Sequence, residues 1–444
     1  MDQILLNIFG LTNQIFINNG AITNNMDREK IKQILVEQNQ IKLKGNTIPR
    51  ELTKRIKKFQ KENFILIISG IRRSGKSTLL HQIRKYLEDS YYVNFDDDRF
   101  IRFIIDDFQT LYEILVELFG TKKIFIFDEI QNIKGWERFV RRLHDTGKKI
   151  YVTGSNASML SRELGTHLTG RHITFSLYPF SFKEFLDFKN YSIKSLDRLT
   201  TEQKGILKKF FNEYLEKGGF PEYLQTEKEE YLKVVYENIL YRDIITRYNL
   251  PNEKIIKEVV YFAVSNIGKE ISFNQIKKLT QLTSATTIRE YFEYFENSYL
   301  AFLIQRYNRS LKKQIYYNKK VFFIDTGMAN ILGFRTSNDL GRMLENIVFI
   351  QLKRQDKEIY FHKEKHECDF LIKKGIKIIQ AIQVTYNLKE NKKREIEGLI
   401  EALAKYKLKE GLILTSDQEE EIFANNKKIV IKPIWKWLLE SNQK

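Results

Sequence analysis

The apolar positions of this chain form short unbroken runs in its first third and helical stripes between and after them. Residues 64–68, Phe-Ile-Leu-Ile-Ile, make a run of the length taken by a strand buried on both faces. After a glycine-bearing turn, Leu79, Leu80, Ile83, Tyr86 and Leu87 fall on one helical stripe. The alternation continues with a strand at 91–95, a helix at about 106–119, a strand at 123–127 and another at 149–153. Such alternation predicts an α/β fold, a parallel sheet covered by helices on both faces. Residues 200–260 lose strand character and read as helices broken at Gly218, Gly219 and Pro221, a helical lid. Two helices at 271–279 and 283–291, then a strand from 300 to 306, predict a winged-helix arrangement. The tail runs helix 341–354, strands 358–361, 369–372 and 378–385, helix 391–405 and strand 411–415.

A chain of 444 residues exceeds a single core, and roughly three domains are expected. Hydrophobic residues make up 42%, and only five prolines occur without any low-complexity tract, so extended disordered linkers are not expected. The segments are read as an upstream, poorly folded extension at 1–25 and a helical segment at 26–60, opened by Met26 and a charged helix. A sheet core at 61–190, the lid at 191–254, the winged-helix segment at 255–325 and a further α/β domain at 326–444 follow. The net charge of +18 points to a polyanionic partner, DNA or another nucleic acid first and an anionic membrane second. A lysine-rich solvated surface is the competing explanation. The single cysteine, Cys368, excludes an intrachain disulfide and a cysteine-rich zinc site, which suits a reducing cytoplasm. No run of 18 uncharged apolar residues predicts a membrane span, and the first 18 residues lack the basic start of a signal peptide.

The turn after the first strand reads Gly70-Ile-Arg72-Arg73-Ser74-Gly75-Lys76-Ser77-Thr78, a G-x-x-x-x-G-K-[ST] match between a strand and a helix. Gly70 and Gly75 let the backbone bend so that the N–H groups of Arg72 to Thr78 surround a triphosphate at a helix N-terminus. Lys76 then reaches the β- and γ-phosphates, and the Ser77 hydroxyl coordinates Mg²⁺. The strand at 123–127 ends in Asp128-Glu129, a Walker B pattern. Asp128 is placed to hold Mg²⁺, and Glu129, one residue further, to polarise a lytic water. The strand at 149–153 leads to Gly154-Ser155-Asn156, where a polar side chain would lie near the γ-phosphate. Asn156 is the first choice for that sensor and Ser155 the second. A simple helix cap opening a helix at 157–164 explains the same residues equally well.

The GIRRSGKST loop, the FIFDEIQ box, the TGSNAS turn and the run Gly170-Arg171-x₇-Pro179-x-Ser-Phe-x-Glu184-Phe185 form one set, with Gly218-Gly-Phe-Pro-Glu222 and the 345–386 region as later matches. On these motifs the chain resembles the AAA+-like ATPases of bacteria and archaea that carry a C-terminal restriction-endonuclease-like domain. The resemblance implies ATP binding and hydrolysis in a homo-oligomeric or partner-completed assembly. It also implies an arginine that acts on a neighbouring subunit's γ-phosphate, and Arg171 stands at a suitable place. A surface arginine paired with local acids is the alternative. Arg242 could reach phosphates from the lid, but an ion pair with Asp243 or Glu237 is the favoured reading.

The tail resembles the PD-(D/E)xK nucleases, in which carboxylates hold Mg²⁺ and a lysine supports the attacking water. Glu345 and Asp369 match acidic positions; the third acid is replaced by Gln383 and the lysine by Thr385. Degraded nuclease chemistry in a binding or docking fold is therefore expected. His362, His366 and Cys368 lack a fourth ligand, so no zinc site is expected. In the winged-helix segment Ser284, Thr286, Thr287 and Arg289 would face a DNA groove or a docking protein. The expected function is an ATP-driven machine or switch acting on nucleic acid or an associated partner protein. The alternatives are a slow nucleotide-gated interaction protein without DNA contact, an ATP-dependent Mg²⁺ nuclease and, fourth, a small-molecule kinase.

Overall fold

A computed structural model describes residues 25–41, 47–87, 89–155, 170–333 and 340–440. The extension expected at 1–25 lies, but for its last residue, outside them. Strands β1 (Ile65–Gly70), β2 (Ser90–Asn94), β3 (Ile124–Asp128), β4 (Lys149–Gly154) and β5 (His172–Leu177) form one sheet in the order β2-β3-β4-β1-β5. Every pairing in it is parallel. This is the α/β sheet expected from the alternating runs. The strand β5 was not foreseen, although Ile173, Phe175 and Leu177 alternate with polar residues at the period of a strand.

Alternate side chains of the strands feed two cores. Ile65, Ile67, Phe125 and Phe127 pack with Phe108, Leu111, Trp136 and Phe139 on one face. Leu66, Ile68, Ile126 and Tyr151 pack with Leu79, Leu80 and Ile83 on the other. The helix after the loop spans Lys76–Arg84 and stops two residues short of Tyr86. The expected stripe therefore fails there: Tyr86 is 60% exposed, with the Lys57 ammonium over its ring. The N-terminal helix Arg28–Gln40 buries Ile31, Ile34 and Leu35 against the first core.

Helices Thr201–Lys217, Pro221–Thr226 and Glu229–Asn238 fill the segment expected as a lid, followed by a π-helix at Ile239–Ile245. Gly218 has φ +71°, and a Cβ there would stand 2.1 Å from a carboxylate oxygen of Asp325, so only glycine fits. Among the described residues no helix is long and apolar enough to cross a membrane.

A second sheet gathers β6 (Glu270–Ile271), β7 (Ala301–Arg306), β8 (Lys319–Phe323), β9 (Glu358–Lys363), β10 (Glu367–Lys374), β11 (Lys377–Val384), β12 (Glu410–Thr415), β13 (Glu420–Ala424) and β14 (Lys427–Pro433). Their order is β13-β14-β12-β11-β10-β9-β7-β8-β6. The expected helix pair is present as Phe273–Leu279 and Ala285–Asn297. The tail elements follow their expected order, with the hairpin β13–β14 and the helix Ile434–Glu440 added. The boundary drawn at 325/326 is crossed by hydrogen bonds, because β7 pairs with β9 in parallel, Gln305 beside Tyr360 and Arg306 beside Phe361.

Candidate functional site

The carboxyl ends of β1, β3 and β4 meet at one edge, and that edge carries most of the motif residues. β1 runs into the loop at Gly70, where a Cβ would stand 2.1 Å from the Leu177 carbonyl oxygen; only glycine allows β5 so close. Gly75 turns the chain with φ +93° into the helix, and Arg73 adopts φ +65°. Thr78 lies on the first turn of that helix. Behind the loop, the buried Arg50 donates to the carbonyls of Ser74 (2.7 Å) and Tyr178 (2.6 Å) and pairs with Glu184 at 3.0 Å. Arg50 is the loop's buttress, and no sequence motif announced it.

Lys76 is buried, and its Nζ donates to the carbonyls of Gly70 (3.2 Å) and Ile71 (3.3 Å). The same ammonium lies 3.3 Å from Glu129 Oε1. The Ser77 hydroxyl hydrogen-bonds the Asp128 carboxylate, which also accepts from Tyr92 Oη at 3.0 Å and from the Thr153 hydroxyl. Glu129 sits in the left-handed region at φ +51°, a strained place for a side chain, and its N–H donates to Thr153 Oγ1 at 2.9 Å. Gln131 Nε2 donates to Glu129 Oε2 at 2.5 Å.

The two neighbouring carboxyls are driven apart. Burial, then the charge of Glu129, pushes Asp128 above its usual range. Burial works the same way on Glu129, but Lys76, Gln131 and Arg72 outweigh it and hold that group below its usual range. Such a divergence is the pattern by which two neighbouring carboxyls come to serve different roles. The oxygens of Ser77 and Asp128 form a hard donor pair that fits Mg²⁺. The buried Ser74 Oγ and Gln131 Oε1 have no hydrogen-bond partner, as expected where a ligand supplies one.

Other expected residues have side-chain partners of their own. Arg72 grips Asp243 on the π-helix through Nε (3.0 Å) and a terminal nitrogen (3.1 Å), and Arg73, largely exposed, lies 3.7 Å from Glu222. Asn156 lies outside the described residues. The Ser155 hydroxyl donates to Asp243 Oδ1 at 3.3 Å. The polar group of β4 that touches both Asp128 and Glu129 is Thr153, which sequence reasoning passed over. Its signal is positional, the last polar residue of a strand seated between β1 and β3. Arg171 sits beside Ile65, at the opposite end of β1 from the loop, with Asp145 at 3.5 Å. Arg242 pairs with neither Asp243 nor Glu237; it reaches Asp96 at 3.4 Å, while Asp243 takes Arg72 and Arg247.

In the second sheet Glu345, Asp369 and Gln383 do come together. Asp369 N–H donates to Gln383 Oε1 at 3.2 Å, and Lys320 from β8 joins Glu345 and Asp369, each at 2.9 Å. Thr385 supplies no amine, yet a lysine is present from a strand outside the expected set. His362 is engaged by Glu401 (2.8 Å) and Tyr406 (3.1 Å), Cys368 is buried, and His366 faces Glu397 at 3.8 Å, so the three do not converge.

Residues 62–186 match the AAA domain family. Residues 208–339 and 340–437 match two domains of unknown function, DUF8612 and DUF4143. The uncharacterized protein MJ1544 of Methanocaldococcus jannaschii is 36% identical over 431 residues, covering 92% of this chain and 95% of its own. An uncharacterized protein of Haemophilus influenzae is 33% identical over 401 residues, 86% of this chain and 96% of its own. The solved structure of the Walker-type ATPase PABY2304 of Pyrococcus abyssi is 16% identical, covering 64% of this chain and 96% of that one, with a TM-score of 0.41. The chain belongs to the same family as MJ1544 and its Haemophilus influenzae relative, and it carries an AAA-type ATPase domain.

Proposed function

We propose that this AAA-domain protein binds ATP with Mg²⁺, hydrolyses it, and couples the cycle to action on nucleic acid or on a nucleic-acid-associated partner protein. The observation that carries the reading is the junction of Lys76, Ser77, Asp128 and Glu129 at one sheet edge, with the two carboxyls driven in opposite directions. Main-chain N–H groups of Arg72 to Thr78 cradle the phosphates, and Lys76 exchanges its Glu129 contact for the β- and γ-oxygens. Ser77 and Asp128 would hold Mg²⁺, which when bound neutralises charge on the phosphates. Glu129, kept charged, takes the proton of the attacking water as the bond from the γ-phosphorus to ADP breaks. Gln131 fixes the direction of that carboxylate, and Thr153 holds the Glu129 main chain in place.

Asn156, with Ser155 second, is proposed to sense the γ-phosphate, and Arg171 to serve a neighbouring copy in a homo-oligomer, since within its own chain it faces away from the loop. The charge of +18 supports a polyanionic partner such as DNA. ATP turnover by Lys76→Ala and Glu129→Gln, with DNA binding across a salt series, tests the reading; undiminished turnover in Lys76→Ala removes it. A second reading, a slow nucleotide-gated interaction protein, is favoured by the grip of Lys76 and Gln131 on Glu129. A partner held by Glu129→Gln in ATP, with no DNA binding, selects it.

A further inference from the structure

The carboxylate cluster of the second sheet has a cation of its own. Lys320 leaves β8, passes the Phe361 ring at 5.7 Å, and ends among Glu345 Oε1 (2.9 Å), Asp369 Oδ1 (2.9 Å) and Glu367 Oε1 (2.6 Å). An ammonium has three N–H groups, so three carboxylates use them all. Lys320 is 1% exposed. Burial works against its charge, and Asp369, Glu345 and Glu367 together outweigh that, holding it well above its ordinary value.

The remaining atoms are turned away from a metal. Asp369 Oδ2 accepts the Val384 N–H at 2.9 Å. Gln383 spends its carbonyl oxygen on the Asp369 N–H and points its NH₂ at Glu395 Oε2, 2.5 Å away. Arg394 covers the other Glu395 oxygen at 2.6 Å. At Glu345 Oε2 the backbone of Gly268 comes so near that a Cβ would stand 2.7 Å away. Mg²⁺ requires a near-octahedral shell of oxygens. An ammonium at the centre and an amide donor beside it repel such an ion, so the donor set does not fit the metal of a nuclease.

We propose that Lys320 is the resident cation of this cluster, closing it to divalent metal and leaving the C-terminal domain without phosphodiester cleavage. The lysine belongs to the stretch matched at 208–339 and its carboxylates to the stretch at 340–437. The ion cluster thus fastens the two stretches to each other.

Mn²⁺ binding to the full-length, nucleotide-free protein, followed by electron paramagnetic resonance in an Asp128→Asn background, tests this. The background protein is expected to bind no Mn²⁺ at the cluster, Lys320→Met to gain one site, and Lys320→Met with Asp369→Asn to lose it again. The protein with Lys320 intact is expected to leave supercoiled plasmid uncut in Mn²⁺. Binding in the background protein that Asp369→Asn abolishes, or plasmid cleavage that it abolishes, overturns the proposal. So does a folded Lys320→Met that gains no site. Should Lys320→Met fail to fold, Glu345→Gln in the background decides: Mn²⁺ binding that this change removes counts against the proposal, and equal absence of binding in both proteins supports it.

Discussion

Asp243 and Arg72 are joined by two parallel hydrogen bonds of 3.0 and 3.1 Å, tying the lid's π-helix to the phosphate loop. A forked pair of this kind carries direction as well as attraction. Asp243 is 1% exposed and also meets Arg247 at 3.6 Å and Ser155 at 3.3 Å, so lid, loop and the end of β4 share one carboxylate. A π-helix is rare and tends to occur where function needs a side chain re-aimed.

Removing that carboxylate leaves a guanidinium in a mostly buried place. Asp243→Ala is expected to cost about 3 kcal/mol of stability, the scale for breaking a buried pair from one side. Thermal melts with and without ATP check it. The nucleotide is expected to stabilise the variant less than the parent, because the lid no longer follows the loop.

The proposed roles of the Walker residues divide binding from chemistry. Lys76→Ala is expected to abolish ATP binding in calorimetry. Glu129→Gln keeps the ligand heat and loses turnover by about 100-fold or more, the range of a missing general base.

Through a single oxygen Thr153 donates to the Asp128 carboxylate and accepts the Glu129 N–H. Thr153→Val keeps the shape, leaves the Glu129 N–H unpaired, and is expected to cost about 1–3 kcal/mol. Turnover should fall by about tenfold or more, with KM for ATP changing little, since Glu129 loses its orientation. Thr153→Ser, which retains the hydroxyl, should restore most of the rate; equal loss in both variants would assign Thr153 to packing alone.

Acidity acts on the lid through Asp325. Burial raises this carboxyl to about 6 from an ordinary 3.8, although the N–H groups of Gly219 (2.7 Å) and Met328 (3.0 Å) oppose it. The folded chain therefore binds this proton more tightly than the unfolded one. Its contribution is fully present below about 4, falls as pH rises to about 6, and is constant above, a change of up to about 3 kcal/mol. Asp325→Asn should remove that slope, read as the difference in melting temperature between parent and variant at pH 4.5 and pH 7.

Local patterns reveal groups whose neighbours are close in sequence. Gly70 to Thr78 and Asp128-Glu129 are legible because strand, turn and helix follow one another within a few residues. Thr153 becomes visible only with the order β3-β4-β1, which no local pattern fixes. Arg50, Asp243 and Lys320 are hidden for the same reason: their partners lie 24, 171 and 49 residues away. Tyr86 misleads in the other direction, since its spacing suits a stripe that the helix ends too soon to use. Arg242 pairs with Asp96, 146 residues away, where sequence proximity had favoured Asp243 or Glu237.

The parallel pairing of β7 with β9 sets a rule for anyone dividing this protein into pieces. A scissor cut at the border suggested by the motifs would leave each fragment with a raw strand flank of unpaired N–H and C=O groups, an invitation to stick to copies of itself. The whole nine-stranded ribbon, residues 270–433, therefore has to travel as one parcel.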